Sequence, residues 1–183
     1  RCADVHGFAH ALGVHAGDTG AGSGRAHRAP GAVRVHVGPQ GGRDAEARNA
    51  EPFPFDPATL DAVVLSHAHI DHIGRLPLLV KRGFRGPIHT HGASAELLPI
   101  MLLDTASLSE AEAERANRHR RHGEPEVQPL FGDEDVHATM KQVRPMPYDE
   151  RTTILPGVDI ALRDAGHILG SAIVELWADG RKL

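Results

Sequence analysis

Asp61-Ala-Val-Val-Leu-Ser-His-Ala-His-Ile-Asp-His72 is the stretch on which the reading of this chain turns. Its first half, Asp61 to Ser66, is a short unbroken apolar run, the pattern of a strand buried on both faces. Its second half places three imidazoles and a carboxylate within residues 67 to 72 in the form H-x-H-x-D-H. Composition alone would produce that string in well under about one in a hundred such chains, so the spacing is a signal and not a by-product of abundant histidine. In extended backbone the period of two sends His67, His69 and Asp71 to one side, and His72 joins them where the chain turns into a helix. Such a loop, just past a buried strand, is where α/β sheets expose their ligands. The bland alternative is an exposed turn in which Asp71 caps the next helix. Against it, four ligand-type side chains so close repel one another and desolvate poorly without a cation. Nitrogen and carboxylate ligands suit zinc, with manganese or iron as alternatives, and a hydrolytic zinc site takes a further ligand from elsewhere while keeping a water.

Working outward, the further ligand is expected from Asp164-Ala-Gly-His-Ile-Leu-Gly-Ser171. Gly166 and Gly170 permit a tight loop that holds His167, and Asp164 is placed to orient an imidazole from behind. Around these motifs the spacing predicts helices at Leu76 to Gly83, about 93 to 106, 108 to 122 with Ser109 as N-cap, and Glu134 to Val143. Strands are expected at Pro87 to His91, Thr152 to Leu155, Val158 to Arg163 and Ala172 to Trp177, with turns at Pro156-Gly157, Ala165 to Gly170 and Asp179-Gly180.

The 183 residues, 40% of them apolar, suffice for one core and argue against two full domains. Basic and acidic residues number 20 and 24, and no third of the chain is strongly basic, so a nucleic-acid partner must be held by a local patch or a metal. Cys2 is the only cysteine, which excludes an internal disulfide and cysteine-based zinc modules and fits a cytoplasmic setting. No apolar stretch approaches the roughly 20 residues of a membrane span, and no signal segment is expected. Residues 1–40 are poorly specified. They hold five histidines, and only Val33-Arg-Val-His-Val37 alternates. With 17 arginines to 3 lysines in the chain, this segment reads either as divergent or as a shifted-frame translation of GC-rich coding DNA.

Leu65-Ser-His-Ala-His-Ile-Asp-His72 resembles the signature of the metallo-β-lactamase fold hydrolases, and Asp164-Ala-Gly-His-Ile-Leu-Gly-Ser-Ala172 resembles their third metal motif. Glu46-Ala-Arg-Asn-Ala-Glu-Pro-Phe-Pro-Phe-Asp-Pro57, Asp71-His-Ile-Gly-Arg-Leu-Pro77 and Gly83-Phe-Arg-Gly-Pro-Ile88 look like the β-CASP branch, the RNA-processing nucleases related to the cleavage-and-polyadenylation endonuclease. The likeness covers about residues 41–183. It implies an α/β fold, the αββα sandwich, of which this chain is expected to be the N-terminal portion, ending before the β-CASP insertion. It implies two zinc ions in the full-length form and hydrolysis of RNA phosphodiester bonds by an endonuclease, a 5′ exonuclease or both. Carried onto this sequence, His67, His69 and His167 hold the first zinc. Asp71 and His72 hold the second and serve as the catalytic groups. A homodimer is a further expectation from the resemblance.

One motif departs from the pattern. Where the family has an early aspartate, the nearest match is Val35-His-Val-Gly-Pro-Gln-Gly-Gly42, with His36 in its place. The chain is therefore expected to bind one metal well and a second poorly, and to turn over slowly or not at all on its own. Arg115, Arg118, Arg120 and Arg121 form the one basic patch, either a contact for RNA phosphates or a solvated helix end. His89 and His91 read as core-edge or surface residues, and His6, His10, His15 and His27 receive no role. Two rival functions stand: the same fold acting on a lactam, thioester or small phosphodiester, and a non-catalytic scaffold or decayed copy.

Overall fold

The computed structural model describes residues 11–15, 31–35 and 49–182, with side chains from residue 49 onward. Among these, one sheet holds five strands in the order β2-β1-β3-β4-β5: β1 (Ala11–His15), β2 (Gly31–Val35), β3 (Ala62–Val64), β4 (Ile88–His91) and β5 (Val143–Met146). β1 runs antiparallel to both β2 and β3, whereas β3, β4 and β5 are parallel. β6 (Thr152–Leu155), β7 (Val158–Asp164), β8 (Ala172–Ala178) and β9 (Arg181–Lys182) form a second, antiparallel sheet. Helices α1 (Ile70–Ile73), α2 (Leu76–Lys81), α3 (Gly92–Arg118) and α4 (Asp133–Met140) connect the parallel strands.

The unbroken apolar run of β3 is explained by its two burials. Ala62 and Val64 face a core shared with Val158, Ile160, Leu162, Ala172 and Leu176 of the second sheet. Val63 and Leu65 face the other way, into a core made with Ile73, Leu76, Leu79, Leu98, Leu102 and Val136 of the helices. Burial on both faces removes the polar alternation that a one-sided strand would show. The layers are thus helices, sheet and sheet, three of the four layers of the expected αββα sandwich. The outer face of the second sheet carries ion pairs beside the exposed Ile173: Glu175 pairs with Arg163 and Lys182, and Arg151 pairs with Asp159 while lying over the Trp177 ring. The Asp179-Gly180 hairpin forms as expected, with both residues at positive φ, the geometry Asp-Gly favours.

Three expectations are corrected. The two helices predicted at about 93–106 and 108–122 are one helix, α3, because Leu98, Leu102, Ala106 and Ala113 continue a single buried stripe through the supposed break. Ser109 does not cap it; its hydroxyl accepts a hydrogen bond from the Leu130 amide, 3.3 Å away. The last predicted helix ends at Met140, not Val143, because Val143 opens β5 in register with Ile88. β5 is the edge strand of its sheet among the described residues, which is why it accommodates Pro145. Within residues 1–40 the sheet recruits Gly31–Val35 and also Ala11–His15, a run without alternation, by backbone pairing of Leu12 and Val14 with Val64 and Ala62. His36, Cys2, His6, His10 and His27 lie outside the described residues. No helix among the described residues is long and apolar enough to cross a membrane.

The continuity of α3 has a direct test. Glu110 is exposed, and Glu110→Pro would be tolerated at the first position of a helix that opened with Ser109. In the middle of α3 it should cost about 3 kcal/mol or more, read as a lowered midpoint in urea unfolding.

Candidate metal centre

β3 ends where the two sheets meet. The Leu65 amide donates to the His89 carbonyl at 2.8 Å, and the Ser66 carbonyl accepts from the Ala172 amide at 2.8 Å, tying the end of β3 to the start of β8. His67 therefore leaves a strand held on both sides and is buried. His69 is the N-cap of α1, so the extended alternation stops there and Asp71 lies in the first turn of the helix. This turn brings His72 back, its ring centroid 4.0 Å from that of His67. The Asp71 side chain is 64% exposed, with its carboxylate 3.7 Å from His72 Nε2.

His167 arrives from the loop between β7 and β8. Its Nε2 lies 3.2 Å from His69 Nδ1, which in turn lies 3.1 Å from His67 Nε2. Two nitrogens bound to one tetrahedral zinc at about 2.0–2.1 Å are about 3.3 Å apart, so these separations match an edge of such a shell. The three rings offer ligand atoms all within 4.8 Å of one another, and the set is His67, His69 and His167 among the described residues. Nδ1 of His67 lies 2.9 Å from Ser66 Oγ, which can accept its proton when Nε2 presents its lone pair to an ion. Burial, then repulsion from His72, His69 and His167, lowers the His67 pKa to about 4, with Asp71 acting in the opposite sense. The neutral, ligating form is thereby favoured at neutral pH. The donors present fit a divalent ion of the zinc type.

The loop around His167 is built as the glycines require, with φ of +63° at Gly166 and +79° at Gly170. Asp164, expected behind an imidazole, accepts from the Gly166 amide at 2.8 Å and so shapes the loop itself. Ser171 Oγ accepts from the amides of His167 and Ile168, both at 3.1 Å. His91 caps α3 through Nδ1, which accepts from the Ala93 amide, and it stacks on Tyr148; His89 is partly buried, and burial, then the charge of Arg144, lowers its pKa. Among the described residues, neither belongs to the cluster of His67, His69 and His167. Arg115, Arg118, Arg120 and Arg121 are exposed at the far end of α3, about 36 Å along the helix from Ser94 at its start. Sequence reasoning did not single out Ser66, Ser94 or Tyr148 around the site. None belongs to a local metal spacing, and Ser94 and Tyr148 reach the loop from distant elements.

Comparison with known proteins places the chain in a family. A model described as the metallo-beta-lactamase superfamily matches residues 18–145. Ribonuclease TTHA0252 of Thermus thermophilus is 39% identical over 138 residues, 75% of this chain and 28% of that protein. A transcription termination factor FttA of Cenarchaeum symbiosum is 37% identical over 114 residues, 62% of this chain and 16% of that one. The chain thus spans well under a third of the length of these relatives. Among solved structures, a metallo-beta-lactamase of Cronobacter sakazakii aligns with a TM-score of 0.45 at 21% identity, covering 85% of this chain and 49% of that one.

The depressed His67 pKa sets a pH dependence for the metal-free chain. An unfolded histidine protonates near its ordinary 6.5, so between about pH 6.5 and 4 the unfolded state binds more protons and stability falls as pH falls. Urea midpoints measured in chelator should drop across that window. His67→Gln should flatten the drop, and an unchanged slope would deny His67 this role.

Proposed function

Because the chain belongs to the metallo-beta-lactamase superfamily, we propose that it carries the metal-binding part of a zinc-dependent β-CASP ribonuclease that hydrolyses RNA phosphodiester bonds in the cytoplasm. The observation that carries this reading is the placement of three imidazole nitrogens at 3.1 and 3.2 Å where the two sheets join, in a chain similar over most of its length to a protein named ribonuclease. In this reading residues 41–183 form a portion of the superfamily domain.

His67 Nε2, His69 Nδ1 and His167 Nε2 are the ligands of the first ion. Asp71 and His72, side by side on α1, are the ligands offered to a second. Zinc held there supplies Lewis acidity toward a phosphoryl oxygen and makes water nucleophilic at neutral pH. The chain's own part is to keep the imidazoles neutral and oriented. Burial favours the neutral form at His67 and Ser66 Oγ bonds its Nδ1, while His69 leaves the backbone at the N-cap of α1. The Asp71 carboxylate, exposed at the mouth of the cluster, is placed to accept a proton in hydrolysis. The arginines at the end of α3 lie too far off to touch a scissile bond. They suit a distant contact to RNA phosphates, one that weakens as salt rises.

Elemental analysis of the purified chain tests the reading. About one zinc per chain is expected, lost in the His67→Ala, His69→Ala double variant. Labelled RNA, a chromogenic lactam and a glutathione thioester should then be offered to a longer form that includes the rest of the relatives' length. Cleavage of RNA alone supports the proposal, and turnover of only the lactam or thioester overturns it.

A further inference from the structure

The His167 loop is closed on itself by local hydrogen bonds, among them the Ala165 amide to the Ser171 carbonyl at 3.1 Å, but its side chains give it little hold on the rest of the fold. Asp164, Ala165, Gly166 and His167 are exposed, and Leu169 is 74% exposed, so burial of loop side chains does not position the imidazole. The loop is gripped instead at its C-terminal end, at two consecutive carbonyls, by side chains from two other elements. Ser94, fully buried in the first turn of α3, donates from Oγ to the Gly170 carbonyl at 2.8 Å. Tyr148, just after β5, donates from Oη to the Ser171 carbonyl at 2.8 Å.

Both contacts are close-fitting. A Cβ at Gly170 would fall 2.5 Å from the Ser94 amide nitrogen and 2.7 Å from its hydroxyl, so the loop backbone rests directly on the helix. The Tyr148 ring is stacked on His91 with centroids 3.8 Å apart and planes 12° from parallel, and His91 is itself the cap of α3. Burial and the nearby Asp164 raise the Tyr148 pKa further above neutrality. From Ser171 the hold passes to the ligand, because Ser171 Oγ receives the His167 amide.

We propose that Ser94 and Tyr148 are positioning residues for the metal ligand His167, holding the Gly170 and Ser171 carbonyls so that His167 Nε2 stands within coordination distance of the His69 side. The inference rests on the reading that His67, His69 and His167 bind a metal. Neither residue belongs to the candidate ligand set of His67, His69 and His167. A ligand must be held within about half an ångström of its place, and supports of this kind carry about ten- to a hundredfold in metal affinity.

The test is zinc affinity by competition with a chromogenic chelator, with the visible spectrum of the cobalt-substituted chain as a second readout. Tyr148→Phe keeps the stacked ring and removes only the hydroxyl; Ser94→Ala removes the other donor. Each should weaken zinc binding about tenfold or more and alter the cobalt spectrum. In a His167→Ala background the same changes should have almost no further effect. A structural role alone would weaken binding equally in both backgrounds, and that result overturns the proposal. So does zinc affinity within twofold of the unmodified chain in both variants. If the unmodified chain binds no zinc, the metal reading itself fails, which is a distinct outcome. Circular dichroism and the cobalt spectrum of Tyr148→Phe separate loss of fold from loss of position.

Discussion

The hydrogen bond from the Ala172 amide to the Ser66 carbonyl joins two sheets whose other contacts are mainly side chain against side chain. It falls one residue before His67 and one residue after Ser171, so it fixes the relative position of the two ligand-bearing segments at the point of use. Strands β3 and β8 could pack across an apolar core with some freedom to slide. A direct backbone bond at their ends removes that freedom where an error of an ångström would open the metal shell. The two cores above and below β3 make the tie possible, because they bury the strand on both faces and bring its end to the junction of the sheets.

The same junction carries an electrostatic cost. Three imidazole nitrogens converge at 3.1 and 3.2 Å, and the buried one, His67, resists protonation. Without a cation their lone pairs lack a common partner. Coordination satisfies all three at once, which makes metal binding and local stability two sides of one equilibrium. The neighbouring polar groups follow that logic. Ser66 orients His67, and Asp71 sets a negative charge beside a cluster that would otherwise become more positive on protonation.

α3 has a part in this that its length conceals. Its start touches the His167 loop through Ser94, and its middle fills the core under β3 through Leu98 and Leu102. Its end carries the basic patch in solvent. One rigid element therefore spans from the metal rim to the far surface. On the opposite side, the second sheet shows water a ladder of ion pairs around Trp177, in keeping with an outer face that is not part of either core.

Much of this was legible along the chain because it is local. The apolar run into H-x-H-x-D-H, the glycine pair around His167, the Asp-Gly hairpin and the helix at Leu76 each declare themselves within a few residues, through period, φ preference or ligand spacing. That His167 would join His67 and His69 was expected from its glycine-flanked loop and from the resemblance, since 98 residues separate His69 from His167 and spacing says nothing across such a gap. Tertiary structure decided what depends on distant partners. It merged two expected helices into α3 because a buried stripe outweighs a local N-cap signal at Ser109, and it turned Val143 from helix end to strand because Ile88 offered a ladder. It drew Ala11–His15 into the sheet through the free edge of β3. It also chose Ser94 and Tyr148 to hold the His167 loop, a choice invisible in sequence because a side chain that grips a backbone carbonyl from another element leaves no periodicity or motif behind.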